Sequence, residues 1–403
     1  MQPATASLVA PPADTSTGTK SIPWHCLVAV LGVSCIPIGV LWDISWHESI
    51  GRDTFWTPAH IVIQLGGLVP GLTCGWLALR TTFFGTVAER STAVRLWGAR
   101  APLGAWICIW GCFAMLTSAP FDDWWHNTYG LDVKILSPPH TLLAIGMFSV
   151  ALGTLLLVLS WQNGAAPAQR KGIARLFVLM AGIMTAMNSA IVMEYSFPNA
   201  QHAMTFYLVV CGHYPWLLVM AARAASLPWG ATVAAGVYLA FYSLAIWVLP
   251  LFSAQPMLAP IYNPVTHMVV PPFPLLLVVP AFVIDLLMGR EKRLLAQEPR
   301  PAIPWWRDWL LALALGAAFL GLVLAVQWPF ARFLLTSSAD NWFFGREINR
   351  WSYSANPGPW MTSFRHLDSD PLTWRGLAFA LGLACIGSRA GLWLGNWMLK
   401  VRR

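Results

Sequence analysis

Charge is scarce in this chain. Only 10% of its 403 residues are Asp, Glu, Lys or Arg, whereas 57% are hydrophobic. A soluble globular domain carries about 25% charged residues, so this composition excludes an ordinary soluble protein. Lys and Arg outnumber Asp and Glu by 25 to 17, but the basic residues fall mainly between apolar runs. A membrane topology explains them better than a nucleic-acid surface does, so no nucleic-acid partner is predicted.

Cysteine-based metal motifs are also absent. The seven cysteines form no Cys-x-x-Cys pair, and most lie inside apolar runs. This argues against a closed structural zinc site and favours small buried side chains. The first residues lack a basic region followed by an apolar core, so they do not resemble a cleaved signal peptide. Their Pro, Thr and Ser content predicts a disordered cytoplasmic tail over 1–22.

Long apolar runs dominate the rest of the chain. About 20 apolar residues are enough to cross a bilayer core, and ten candidate runs occur. The 24 tryptophans often stand at the ends of these runs, as in an aromatic belt. The predicted fold is an all-α, polytopic transmembrane helical bundle surrounded by membrane lipid. The predicted spans are roughly 24–46, 57–79, 101–121, 138–161, 173–195, 202–224, 229–251, 268–288, 305–328 and 374–399.

Lys and Arg concentrate in every second connection between these spans. Cytoplasmic loops are the Lys/Arg-rich ones, so an even number of spans places both termini in the cytoplasm. The other connections then lie at the outer face. The last of them, 329–373, is long enough to form a small lid. The basic connections lie around 80–100, 170–175, 223, 290–300 and 400–403.

Two similar polar segments interrupt the apolar runs near the predicted outer face. The first reads WDISWHESIGRDTFWTPAH, from Trp42 to His60, and the second FDDWWHNTYGLDVKILSPPH, from Phe121 to His140. In each, an Asp precedes a His by four residues, about one helical turn, so both share a helix face. A second His follows 13 or 14 residues later, just past a proline. Proline is favoured at the start of a helix, so each unit is predicted to be a helical hairpin with Asp, His and His at its turn end.

The polar residues of these hairpins have the chemistry of metal ligands. Ionisable side chains near a bilayer are costly, so they usually pair, bind ions or line water-filled space. One carboxylate and two imidazoles suit a divalent transition metal and leave coordination positions open. A purely structural hydrogen-bonded pairing is the simpler alternative, and the duplication favours metal binding. The predicted ligands are Asp43, His47, His60, Asp122, His126 and His140.

Histidines near prolines recur before later spans, which indicates a weak internal repeat of helical hairpins. The third unit offers Glu194 with His202 and His213, and the fourth offers Asn263 with His267. His202 and His213 would lie about 16 Å apart on one helix, too far to share an ion. For these residues, interior hydrogen bonding or a water-lined cavity is favoured over a third metal site.

The first segment resembles the signature of a metal-binding transmembrane subunit of the copper membrane monooxygenases, the particulate methane and ammonia monooxygenase group. The similarity covers D-x-x-W-H, then R-D-T at 52–54 and T-P-x-H at 57–60. The second segment resembles the family's neighbouring site, with Asp122 where the family has Asn. The resemblance covers about residues 24–165, and the remainder of the chain has no counterpart in it.

This resemblance implies that the six ligands form two copper sites, while zinc and non-haem iron use the same ligand types. It implies an oxidoreductase subunit of the bacterial cytoplasmic membrane that hydroxylates a small apolar substrate with O₂. Other membrane subunits and an electron donor, a quinol or a donor protein, are implied as partners. Trp46, Trp125 and Phe55 would wall the site, and Arg52 with Asp53 would orient the histidines.

Two other classes of function stay open at this point. One is a metal- or proton-coupled transporter, which broken helices and acids at the bilayer midplane would favour. The other is a structural membrane subunit whose bound metal holds helices together. The predicted organisation is a tail at 1–22, metal-site hairpins at 23–165, further spans at 166–328, an outer loop at 329–373, and a last span with a basic end at 374–403.

Overall fold

Long helices make up almost all of the structure, which confirms the predicted all-α bundle. The computed structural model describes residues 22–51, 56–130, 137–257, 265–297, 305–345 and 370–401, so most of the predicted tail lies outside the described residues. Strands β1 (Val94–Leu96) and β2 (Ala99–Ala101) form an antiparallel pair between α3 and α4. The helices are α1 Trp24–Ser49, α2 Pro58–Phe84, α3 Val87–Thr92, α4 Leu103–Tyr129, α5 Pro138–Gly164, α6 Pro167–Ile191, α7 Met204–His213, α8 Pro215–Ala224, α9 Gly230–Val248, α10 Val278–Gln297, α11 Trp305–Leu334 and α12 Trp374–Met398.

Nine helical stretches of the described residues are long and apolar enough to cross a membrane. They correspond to nine of the ten predicted spans, with α7 and α8 together forming one span. Pro215 separates these two helices because it has no N–H to continue the hydrogen-bond ladder. Helix α11 continues to Leu334, beyond the predicted end at 328, so the outer connection begins later than expected. The chain is a multi-pass membrane protein.

The prediction of a helical span over 268–288 is wrong in its first half. Residues 268–277 are non-helical and almost wholly buried, and α10 begins only at Val278. Three prolines lie within this stretch. Because proline lacks an N–H and clashes with the preceding turn of a helix, a continuous helix cannot form here.

The backbone of this non-helical stretch finds partners inside the protein. The N–H of Leu275 donates to the Tyr238 hydroxyl at 2.9 Å, and the N–H of Leu276 donates to Oε1 of Gln327 at 2.9 Å. Non-helical backbone at membrane depth is tolerated only when protein covers it and satisfies its polar groups. The stretch meets that condition, and together with α10 it supplies the tenth crossing of the bundle.

One end of the bundle gathers the Lys/Arg-rich connections, and we name it the basic face. Here Asn163 donates to the carbonyls of Met398 and Val401, and Arg223 pairs with Glu291 at 2.8 Å. Helix α12 therefore ends at this face. The start of α1 lies here too, since Ile22 is next to Gly172 at the beginning of α6.

The opposite end of the bundle carries the candidate metal ligands, and we name it the site face. The hydroxyl of Ser45 donates to the carbonyl of Val269, and the hydroxyl of Thr205 donates to Asp370. These contacts bring the connections after α1, α6, α9 and α11 to one end, as the alternation of Lys/Arg-rich and Lys/Arg-poor connections predicts. That this face lies outside the cytoplasm stays a prediction.

The first hairpin (α1 and α2) and the second hairpin (α4 and α5) pack with the same register. Gly66 and Gly146 each lie six residues after the second histidine of their hairpin. An added Cβ at Gly66 would collide with Ile36, and one at Gly146 would collide with Met115. Both partners stand seven residues before the aspartate of their hairpin. The predicted repeat is confirmed for these two units, whose helices approach through small residues.

The close approach in the second hairpin gives a test of this packing. A Cβ at Gly111 would lie 2.7 Å from the backbone nitrogen of Val150 and 2.8 Å from the carbonyl oxygen of Gly146. Because backbone atoms cannot rotate away, we expect Gly111→Ala to destabilise the protein by about 1–3 kcal/mol, as overpacking does. Thermal unfolding in detergent, followed by circular dichroism, measures this. The control Gly75→Ala meets open space and should not lower the Tm; equal losses in both variants would contradict the packing.

Candidate metal centres

The first centre lies where α1 ends and α2 begins. Asp43 and His47 stand one turn apart on α1, with 3.6 Å between Oδ2 of Asp43 and Nε2 of His47. His60, in the first turn of α2, places its Nε2 3.0 Å from Oδ1 of Asp43. All three side chains are half-buried. The convergence of one acid and two imidazoles that the sequence predicts is present.

The second centre repeats this arrangement where α4 ends and α5 begins. Nε2 of His126 lies 3.4 Å from Oδ2 of Asp122, and Nε2 of His140 lies 3.5 Å from Oδ1 of the same carboxylate. These side chains are half-buried as well. In both centres, therefore, the two histidines contact different oxygens of one aspartate.

A hydroxyl cap positions the second histidine of each hairpin. Oγ1 of Thr57 accepts the backbone N–H of His60 at 3.2 Å, and Oγ of Ser137 accepts that of His140 at 3.4 Å. Pro58 follows the first cap and begins α2, and a proline begins α5 in the same way. Ser or Thr at the cap and Pro at the first helical position are both preferred at helix starts. The sequence signal is [ST]-P-x-H, of which the proline and histidine were predicted and the capping hydroxyl was not.

A glycine with positive φ follows the helix that carries the aspartate in both hairpins. Gly51 has φ 107° and Gly130 has φ 87°, and each stands four residues after the first histidine. Only glycine enters this region without steric cost, so it turns the chain toward the second helix. Nδ1 of His126 lies 3.2 Å from the Gly130 carbonyl oxygen. A proton on Nδ1 leaves the Nε2 lone pair directed toward Asp122 and available to a metal.

The donor atoms of both centres are spaced as metal ligands are. In each centre, one carboxylate oxygen and two imidazole nitrogens lie within 4.8 Å of one another. Ligand atoms bound at about 2.1 Å to one tetrahedral ion lie about 3.4 Å apart, close to the distances observed here. In addition, Oδ1 of Asp43 and Oδ1 of Asp122 are buried and accept no hydrogen bond within the described part of the chain. A cation would satisfy these oxygens, so the residues fit a divalent transition metal.

The predicted walls of the site are found in part. Trp46 packs with Trp42 against an apolar cluster from the second half of the chain. Trp125 packs against Phe121 and Tyr129. Both tryptophans thus stand next to a ligand histidine within aromatic surroundings. The remaining predicted members, Arg52, Asp53 and Phe55, lie outside the described residues.

The other polar candidates do not form a third centre within the described residues. Nε2 of buried His202 lies 3.2 Å from the Trp328 carbonyl oxygen, which is the interior hydrogen bonding that the sequence favours. Glu194 is exposed, and Nδ1 of His213 lies 2.9 Å from a carbonyl of its own helix. His267 contacts the hydroxyl of its neighbour in the chain at 3.0 Å. Asn263 lies outside the described residues.

No protein-family model, curated protein or solved structure matches the chain. The resemblance to the copper membrane monooxygenases therefore rests on the residues of the two hairpins and stays a prediction. The centres themselves are described by their geometry, which is independent of that resemblance.

The cap at Thr57 gives a test of how the first centre is held. Thr57→Ala removes the acceptor of the His60 N–H and should weaken copper binding at this centre about tenfold, as loss of supporting contacts does. His126→Ala in the background removes the second centre, so the Kd from chelator competition reports on the first. Thr57→Ser keeps a hydroxyl and should restore the Kd. An unchanged Kd in Thr57→Ala would show that the cap does not position His60.

Proposed function

We propose that this protein is a copper-binding subunit of a membrane oxidoreductase in the bacterial cytoplasmic membrane. The observation that carries the proposal is the duplication of one ligand set in one geometry. A single Asp-His-His contact is compatible with structural pairing. Two copies with matched helix register, caps and glycine turns are better explained by a ligand that both hairpins evolved to bind.

The residues of each centre contribute differently to holding a cation. Asp43 and Asp122 supply negative charge at the edge of the apolar bundle, where an uncompensated cation would be costly. The imidazoles complete a partial coordination set that leaves positions for a small molecule. When bound, copper would supply one-electron redox chemistry and Lewis acidity toward O₂. The aromatic residues beside the ligands limit access of bulk water.

The reaction that fits this arrangement best is hydroxylation of a small apolar substrate with O₂. An apolar substrate partitions into the bilayer and reaches a centre at the membrane edge from the lipid side. The reaction also needs electrons, which we assign to a quinol or a donor protein, together with partner membrane subunits. This assignment of reaction and partners is supported by the resemblance of the first hairpin to the metal-binding transmembrane subunit of the copper membrane monooxygenases.

The site assignment is tested by the metal content of the purified protein. We expect two copper equivalents per chain, one equivalent after His47→Ala or His126→Ala, and none in the double variant, because each centre loses a ligand. Copper per chain after desalting is the measurement. His213→Gln changes a histidine outside both centres and should keep two equivalents. Full occupancy in both single variants would show that the assignment is wrong.

Metal transport is a second candidate because two spans are interrupted. The break at Pro215 and the non-helical residues 268–277 are features of helices that line transport paths. The ligand acids favour the oxidoreductase, since Asp43 and Asp122 stand in the last two turns of their helices and not at mid-span.

Copper flux across a membrane separates these two functions. We expect proteoliposomes that contain the protein to take up copper no faster than protein-free liposomes, measured with a copper dye inside the vesicles. The matched control is a preparation of the His47→Ala, His126→Ala double variant. Uptake that needs the intact protein and disappears in the double variant would favour transport.

A further inference from the structure

The two centres share ligands and register but differ in what covers the helix that carries the aspartate. Two residues after its aspartate, α1 has Ser45, which is fully buried, whereas α4 has Trp124, which is 52% exposed. Six residues after the aspartate, α1 has Ser49, fully buried, and α4 has Thr128, exposed. Equivalent positions of a duplicated hairpin therefore meet protein in the first centre and the surroundings in the second.

Both buried serines bind one residue from the second half of the chain. Oγ of Ser45 donates to the carbonyl of Val269 at 2.6 Å, and the N–H of Val269 donates to Oγ of Ser49 at 2.9 Å. Oγ of Ser49 in turn donates to the Ser45 carbonyl at 2.6 Å. In α4, Thr128 reproduces this last bond with the carbonyl of Trp124 at 2.8 Å. We name residues 265–270 the strap.

Aromatic residues beside the ligands follow the same division. Trp42 and Trp46 flank Asp43 in sequence and pack on an apolar cluster that includes part of the strap. Their counterparts Phe121 and Trp125 contact each other, with ring centroids 6.1 Å apart. The cluster includes Ile246, Met268, Val270, Phe273 and Leu334. The second half of the chain thus covers the last turns of α1, while α4 packs chiefly on α2 and α5.

We propose that the strap makes the two centres unequal: the first centre retains its metal, and the second exchanges metal with the surroundings. The proposal rests on the function proposed above. Exposure of the ligands does not separate the centres, because the side chains of Asp43 and Asp122 are 17% and 19% exposed. The strap does separate them, and Ser45 and Ser49 are the positioning residues through which it acts.

The physical basis is the movement that release of a metal requires. An ion bound by three side chains leaves after its ligands separate, which needs local opening of the helix end that carries two of them. In the first hairpin, this helix end is tied by two hydrogen bonds to Val269. A tied helix end opens less often and keeps its ligands preorganised, so release is slower at equal ligand chemistry.

The experiment compares copper release from single-centre variants of the full chain in detergent. His126→Ala with His140→Ala leaves the first centre, and His47→Ala with His60→Ala leaves the second. Each protein is loaded with Cu(II), freed of excess metal and mixed with EDTA, and the bound Cu(II) signal is followed by electron paramagnetic resonance. We expect release from the first centre to be at least about tenfold slower, the scale on which supporting contacts act.

Serine variants then test the strap itself. Ser49→Ala and Ser45→Ala, added to the variant that keeps the first centre, should raise its release rate toward that of the second centre. Ser49→Thr keeps the hydroxyl and should restore slow release. Thr128→Ala is the matched control in the variant that keeps the second centre and should leave its rate unchanged.

The outcomes separate this proposal from the one on which it rests. Single-centre variants that hold no copper would overturn both the site assignment and the inequality. Variants that each hold one copper and release it at equal rates would leave the assignment standing and overturn the inequality. Slow release that persists in the Ser45→Ala and Ser49→Ala variants would also overturn it, because the strap would then not be its cause.

Discussion

Each centre depends on a carboxylate that lies between two imidazoles at the edge of an apolar bundle. A charged group in such surroundings is costly unless partners surround it. Asp43 meets this condition only because His47 comes from its own helix and His60 from the next. The centre therefore requires a hairpin with fixed ends, and not merely three residues in one stretch of sequence. Loss of one partner would leave the carboxylate poorly compensated, which explains why caps and turns of both hairpins are built so alike.

The duplication shows which features the centre needs. The distance from the glycine turn to the capping hydroxyl differs by one residue, since Gly51 precedes Thr57 by six positions and Gly130 precedes Ser137 by seven. The extra residue falls in the connection, while the helix ends on both sides keep their geometry. Glycines at matched positions in the helices set the register of each hairpin, and the register brings the helix ends together. Spacing between the two histidines is thus less constrained than the helix ends themselves.

Much of this could be predicted from local sequence. The four-residue spacing of Asp43 and His47 indicates a shared helix face, and a proline before His60 indicates a helix start. The prolines within 268–277 also exclude a helix there, yet the hydropathy of these residues alone suggested a span. The bond between Ser45 and Val269 was not predictable, since it joins residues 224 positions apart. Such a contact depends on how α9 and α11 pack, which no local pattern contains. The short β-hairpin was missed for a simpler reason: its turn at Trp97 and Gly98 lies within a basic connection and was not assigned a structure.

The interrupted eighth span and the strap have one cause. In a helix, the N–H and C=O groups of a residue such as Val269 are used by the helix itself and are closed to other partners. The prolines that follow Val269 prevent that helix, so its N–H and C=O remain available, and Ser49 and Ser45 use them. A segment that gives up regular structure in the membrane thereby gains two bonds to the helix that carries a metal ligand set. The second half of the chain consequently has a direct physical connection to the first centre and not to the second, although the two centres present the same ligands.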